Sequence, residues 1–163
     1  MNKKNKYLKF AFALFIMIFS GVTVSFANES NYEQDINLLN SLSVTDIELE
    51  SFNADDVVTR TVFADAVASM MQSDFDDYVG TTVGDLSARD KGIMYLSSNG
   101  IMSGYGNDEF LPQKNISLQE ATTVLLSAMG YSATAQVMGG FPSGYMALAN
   151  DVDMLDGVKA NAE

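Results

Sequence analysis

Apolar residues fall at helical spacing in five stretches of the chain, and the polar stretches between them carry turn residues. The clearest run is residues 92–131. Ser87 or Ala88 opens a helix there, which Ser97, Ser98, Asn99 and Gly100 close. The loop Gly104–Phe110 then turns sharply, because its glycines and Asn107 tolerate positive φ. Pro112 keeps helix out of the stretch just before it. Ser117 and Glu120 have the spacing of a capping box, and Ala121, Val124, Leu125 and Ala128 form an apolar stripe behind it, stopped by Gly130. On this pattern, Leu125→Ala should empty part of the core and cost about 2–5 kcal/mol.

A lone helix pair cannot bury both stripes, and the unit has copies. Upstream, Ile36, Leu39 and Leu42 mark a short helix, and Phe63, Ala66, Val67 and Met70 mark a second one starting near Thr59. Val44 matches Ile101, Phe52 matches Phe110, and Val58-Thr59-Arg60 matches Ile116-Ser117-Leu118. Downstream, Phe141-Pro142-Ser143 begins another first helix, with Tyr145, Leu148, Ala149 and Val152 on one face. Met154-Leu155-Asp156-Gly157 matches Ile101-Met102-Ser103-Gly104. Residues 72–85 and 132–140 read as linkers. The expected organisation is three units, at 28–73, 86–131 and 141–163. The third stops before its second helix, which reads as a fragment with a further domain expected beyond Glu163. The fold class is all-α, built of tandem helix-loop-helix repeats whose first helices pack together.

The first 27 residues stand apart. Lys3, Lys4, Lys6 and Lys9 precede an apolar run from Phe10 to Phe19, and Ser25-Phe26-Ala27 offers a cleavage site. This is the layout of a secretory signal peptide; the rival, an uncleaved anchor, has a short run for a bilayer span. All 21 acidic residues follow Ala27, against five basic ones (Arg60, Arg89, Lys91, Lys114 and Lys159), a net charge of −16 for the exported chain. Such a surface repels nucleic acid and anionic lipid. The reading is therefore no nucleic-acid partner and no membrane association once the signal is removed. With neither cysteine nor histidine present, disulfides, Ser-His or Cys-His catalysis and the usual zinc ligands are excluded. Abundant carboxylates leave glycosidase chemistry conceivable, but they lie in linkers and turns where nothing implies a cleft. The expectation is no enzyme and no cofactor.

The ordered set of motifs resembles the S-layer homology family over residues 33–163. Gly100-Ile101-Met102-Ser103-Gly104-Tyr105 and Phe110-Leu111-Pro112 are similar to its turn and its Gly-Tyr-x-Asp/Asn-Gly-x-Phe-x-Pro loop. Val58-Thr59-Arg60 with Phe63-Ala64, and Ile116-Ser117 with Glu120-Ala121, are similar to its Ile/Val-Thr-Arg-Ala-Glu motif. The resemblance implies tandem repeats, usually three, packed as a pseudo-threefold helical bundle. It implies grooves between repeats that hold a secondary cell-wall polysaccharide, often pyruvylated, with the motif arginine as the cation. An arginine's planar fork suits a carboxylate, and a helix N-terminus beside it adds free amides. Carried over by motif, the expected polysaccharide contacts are Arg60, Thr59, Gly104, Tyr105, Ser117 and Glu120, with no metal.

The motif is incomplete in both units: Val62 stands where the family has glutamate, and Leu118 where it has arginine. Each contact has a plainer reading beside it. Arg60 is then a solvated first-turn residue, Thr59 and Ser117 are N-caps, Asn107 to Glu109 a turn and not a calcium loop, and the methionines core filler. The expected function is a noncovalent cell-wall anchor of an exported bacterial surface protein. The alternative is a degenerate repeat module that serves as a scaffold without binding carbohydrate.

Overall fold

The computed structural model describes residues 32–53, 55–71, 77–156 and 158. The signal segment 1–27, the start of the first linker and the chain's last five residues lie outside these. Among the described residues the protein is all-α, with no strand. Its helices are α1 (Tyr32–Ser41), α2 (Arg60–Met71), α3 (Lys91–Ser98), α4 (Leu118–Ala128), α5 (Ser132–Val137) and α6 (Ser143–Asp151), with a 3-10 turn at Leu49–Ser51. They fall into two compact units, residues 26–116 with α1 to α3, and the part from Ser117 with α4 to α6.

In the first unit α2 packs along α3. Small residues make this possible. Ala64 and Ala68 are fully buried on α2, and Gly92 on α3 lies so near that an added Cβ would sit 2.4 Å from the Asp65 backbone nitrogen. Around that contact Val67, Ile93, Met94, Leu96 and Met102 leave water almost completely. The α3 N-terminus comes later than the pattern suggested. Ser87 to Asp90 form a turn in which the buried Asp90 carboxylate accepts from the Ser87 amide (2.8 Å), the Ser87 hydroxyl (2.6 Å) and the Thr61 hydroxyl (3.0 Å). Helix starts only after this knot, at Lys91, and Asp65 accepts its Gly92 amide at 2.9 Å.

In the second unit α6 packs on both α4 and α5. Leu126, Ala135, Tyr145, Leu148 and Ala149 form its core, with Tyr131, Val152, Met154 and Leu155 against it. Ser117 caps α4 in a complete capping box: its hydroxyl accepts from the Glu120 amide (3.3 Å), and the Glu120 carboxylate accepts from the Ser117 amide (2.9 Å). Two expectations need correction. Residues 132–140 are not a linker throughout, since Ser132–Val137 is helix α5 with Ala135 fully buried. A single buried alanine leaves no periodic signal in six residues. Gly144 then lets α6 approach, where a Cβ would lie 2.2 Å from the Ala135 carbonyl oxygen. The deepest position on α4 is Leu126, not Leu125, which is only half-buried.

A left-handed turn closes several helices, among them α4 at Gly130, where the Tyr131 amide reaches the Leu126 carbonyl at 2.9 Å, and α5 at Gly139, where the Gly140 amide reaches the Ala135 carbonyl at 2.9 Å. Three further copies fall at matched positions. Ser43, Gly100 and Asp153 have φ of 56°, 69° and 56°. After each, an amide reaches back five residues: Val44 to the Leu39 carbonyl (3.0 Å), Ile101 to Leu96 (2.8 Å) and Met154 to Ala149 (2.9 Å). This left-handed cap ends a helix by satisfying its last carbonyls. It falls at the three positions that sequence matching aligned.

Candidate functional site

Thr59 ends an extended segment, forming an isolated antiparallel bridge with Asn115, and its hydroxyl accepts weakly from the Val62 amide (3.4 Å) as an N-cap. The same short pairing has the Arg60 amide donating to the Lys114 carbonyl and the Ile116 amide to Val58, each at 2.9 Å. This brings the first turn of α2 against the loop that follows α3. Arg60 is therefore not solvated, as one reading of the sequence had it. It is 2 % exposed. Its Nε donates to the Phe110 carbonyl (2.8 Å) and its Nη2 to the Ser103 carbonyl (2.9 Å), and its guanidinium carbon lies 4.8 Å from the Tyr105 ring centroid. Lys114 also approaches Tyr105, with Nζ 4.3 Å from the centroid and 2.9 Å from the phenol oxygen.

Asp85 holds the same loop through other groups. Its carboxylate accepts the amides of Phe110 and Leu111, each at 2.8 Å. The Phe110 amide foremost holds its pKa below the ordinary aspartate value; burial, the next effect in size, opposes it, and the Leu111 amide, its own amide and the Arg60 charge lower it further. The Phe110 peptide is thus gripped at both ends, its carbonyl by Arg60 and its amide by Asp85. Such a grip is needed because Asn107, Asp108 and Leu111 all have φ between 50° and 58°, a region costly for side chains other than glycine. Gly104 permits the turn to close: a Cβ there would lie 2.5 Å from the Glu109 carbonyl oxygen, which accepts the Tyr105 amide at 2.7 Å.

Of the expected contacts, Thr59, Arg60, Gly104 and Tyr105 therefore gather in one cluster. Ser117 and Glu120 belong to the α4 capping box in the other unit. None of the six lines the open groove of about 480 Å³ that lies among other described residues. Its walls are the turn Val44–Ile47, the α2 residues Val62, Asp65, Ala66 and Ser69, and Arg89 with Lys91 at the start of α3. Arg89 and Lys91 are not among the expected contacts, because neither belongs to the family motifs from which those contacts were carried over. A usable signal was present, since they are two of only five basic residues after Ala27 and they flank Asp90. Chemically, this is a shallow trough with two cations, two carboxylates (Asp46 and Asp65), hydroxyls and an apolar floor, the mixture that suits a polar chain with charged substituents.

A family model described as the S-layer homology domain matches residues 83–122. Residues 83–122 are an S-layer homology domain. The matched stretch holds Asp85, α3, the gripped loop, Pro112 and the α4 capping box. No curated protein and no solved structure matches the chain. S-layer homology domains are cell-wall anchoring modules that bind secondary wall polysaccharides and are associated with the cell surface; they are not enzymes. Among the described residues no helix is long and apolar enough to cross a membrane, and no group of acidic side chains is placed to hold a metal ion.

Proposed function

We propose that the chain is a noncovalent cell-wall anchor of an exported surface protein, made of three tandem S-layer homology repeats at 28–73, 86–131 and 141–163. The signal peptide 1–27 delivers it, and the repeats belong to the family's pseudo-threefold bundle. The observation that carries this reading is the family match at residues 83–122. The sequence matches that align Val44, Ile101 and Met154, each just after a left-handed helix cap, support extending it in both directions. In this reading an acidic secondary wall polysaccharide, such as a pyruvylated one, lies in the groove between the first and second repeats. Arg89 and Lys91 offer it their charge from the groove wall. Thr59, Arg60, Gly104 and Tyr105 shape the neighbouring loop, and the half-exposed Tyr105 edge is their nearest approach to the polymer. Ser117 and Glu120 keep their expected place at a second groove.

Co-sedimentation with wall sacculi tests this. The anchor pellets with native walls and stays in solution with walls stripped of secondary polysaccharide; equal behaviour with both would reject polysaccharide anchoring. The burial of Arg60 and the Leu118 substitution favour a second reading, a degenerate module that folds but binds no carbohydrate. That reading predicts no pelleting with either preparation.

A further inference from the structure

Helix α1 buries only Ile36 among its ten residues. The first half of the helix meets the 3-10 turn at a second groove, about 360 Å³, lined by Tyr32, Glu33, Ile36, Leu49, Glu50 and Phe52. The Tyr32 and Phe52 rings stand 5.5 Å apart at a 56° tilt. Both remain accessible, at 45 % and 36 % exposure, as does Leu49 at 39 %. The local sequence carries one sign of charge. Between Tyr32 and Thr59 the chain has Glu33, Asp35, Asp46, Glu48, Glu50, Asp55 and Asp56 and no lysine or arginine. The next basic residue, Arg60, is turned inward.

We propose that this groove docks a cationic peptide segment of a partner protein, an apolar side chain seated against Tyr32 and Phe52 with flanking Lys or Arg at Glu33 and Glu50. Covering the aromatic rings removes apolar surface from water, and exposed aromatics are the usual anchors of such contacts. The carboxylate rim selects the sign of the partner and speeds encounter, an effect that salt screens. A second copy is disfavoured by its own net charge of −16 after Ala27, and an anionic wall polymer is repelled by the same rim. The site is separate from the polysaccharide groove and goes beyond the anchoring reading.

The test titrates the full chain, produced by export so that processing takes its natural course, with the labelled peptide Lys-Lys-Leu-Phe-Leu-Lys-Lys. Two controls are Lys-Lys-Ser-Gly-Ser-Lys-Lys, of equal charge, and Glu-Glu-Leu-Phe-Leu-Glu-Glu, of equal apolarity. The first peptide should bind at least about tenfold more tightly than either control. Phe52→Ser should remove about that factor, and Glu33→Gln with Glu50→Gln should weaken binding and flatten its salt dependence. All three side chains are solvent-exposed, so circular dichroism should stay unchanged, and Val79→Ser, at a fully exposed valine elsewhere, should bind as wild type does. Equal binding of the Ser-Gly-Ser peptide, or indifference to Phe52→Ser, would reduce the effect to bulk charge and overturn the proposal. Competition by a neutral wall oligosaccharide, or a dimer abolished by Phe52→Ser, would overturn it in favour of those occupants.

Discussion

Replacing Arg60 by alanine should destabilise the unit formed by α1 to α3. The side chain is 2 % exposed and makes two charge-assisted hydrogen bonds to backbone carbonyls, 2.8 Å to Phe110 and 2.9 Å to Ser103. Each bond of this kind contributes about 1.5–3 kcal/mol. The Tyr105 stack adds about 0.5–2 kcal/mol. The desolvation of a buried guanidinium and the only partial burial of the Ser103 bond both reduce the sum. A net loss of about 2–4 kcal/mol remains. With urea slopes of about 1–3 kcal/mol/M for small proteins, the midpoint should fall by roughly 1–2 M. Unfolding followed by circular dichroism and tyrosine fluorescence measures it; the chain has no tryptophan to mask the signal. Arg60→Lys should recover only part of the loss, because one ammonium cannot reproduce a planar fork facing two carbonyls. A midpoint that stays within roughly 0.2 M in Arg60→Ala, judged against that slope, would refute the clasp. A loss of wall binding at unchanged stability would instead return Arg60 to the role of ligand cation.

Four further outcomes follow from the packing. Leu126→Ala should cost about 2–5 kcal/mol in the α4 to α6 unit, and Leu125→Ala clearly less; the reverse order in thermal melts would misplace the core. Gly92→Ala puts a Cβ 2.4 Å from the Asp65 nitrogen and 2.5 Å from the Ala64 carbonyl carbon, both backbone. The helices must part, at a cost of about 1–3 kcal/mol, and a wild-type melt would contradict this close approach. Asp85 has a depressed folded pKa, so the stability its carboxylate contributes is complete above the ordinary value near about 3.9 and is lost as pH falls through the folded value. Asp85→Asn should lower stability at neutral pH and flatten its acid dependence in that window; parallel pH profiles for the two proteins would count against the amide grip. Arg89→Glu should leave the melt unchanged, its side chain being exposed, and lowered stability would show a structural role in its place.

Local chemistry was legible in the sequence. Ser117 and Glu120 announced a capping box because both partners lie within one turn, and the left-handed turns were visible at Gly100 and Gly130 through residue type alone. The fates of Arg60 and Leu126 were not. Arg60 bonds to carbonyls 50 and 43 positions away, so a helix-opening arginine reads as a surface residue until the loop is folded against it. Leu126 competes with Leu125 on adjacent faces of one helix, and only the neighbours Ala135, Tyr145 and Leu148 decide which side is inward. Helix α5 is too short for periodicity to show. Arg89 and Lys91 could have been weighed from charge scarcity, but their meeting with Val62 and Asp65 across α2 and α3 depends on the tertiary fold.

The most direct measurement of the anchoring claim is a calorimetric titration of purified secondary wall polysaccharide into the chain, with wild type beside Arg89→Glu, Lys91→Glu. The account predicts saturable binding by wild type that weakens as salt is raised, and loss of about tenfold or more in the charge-reversed variant at unchanged fold. Wild-type affinity in that variant would remove the polymer from this groove. Absence of heat and of competition with wild type would leave the S-layer homology domain here as a scaffold that binds no wall carbohydrate.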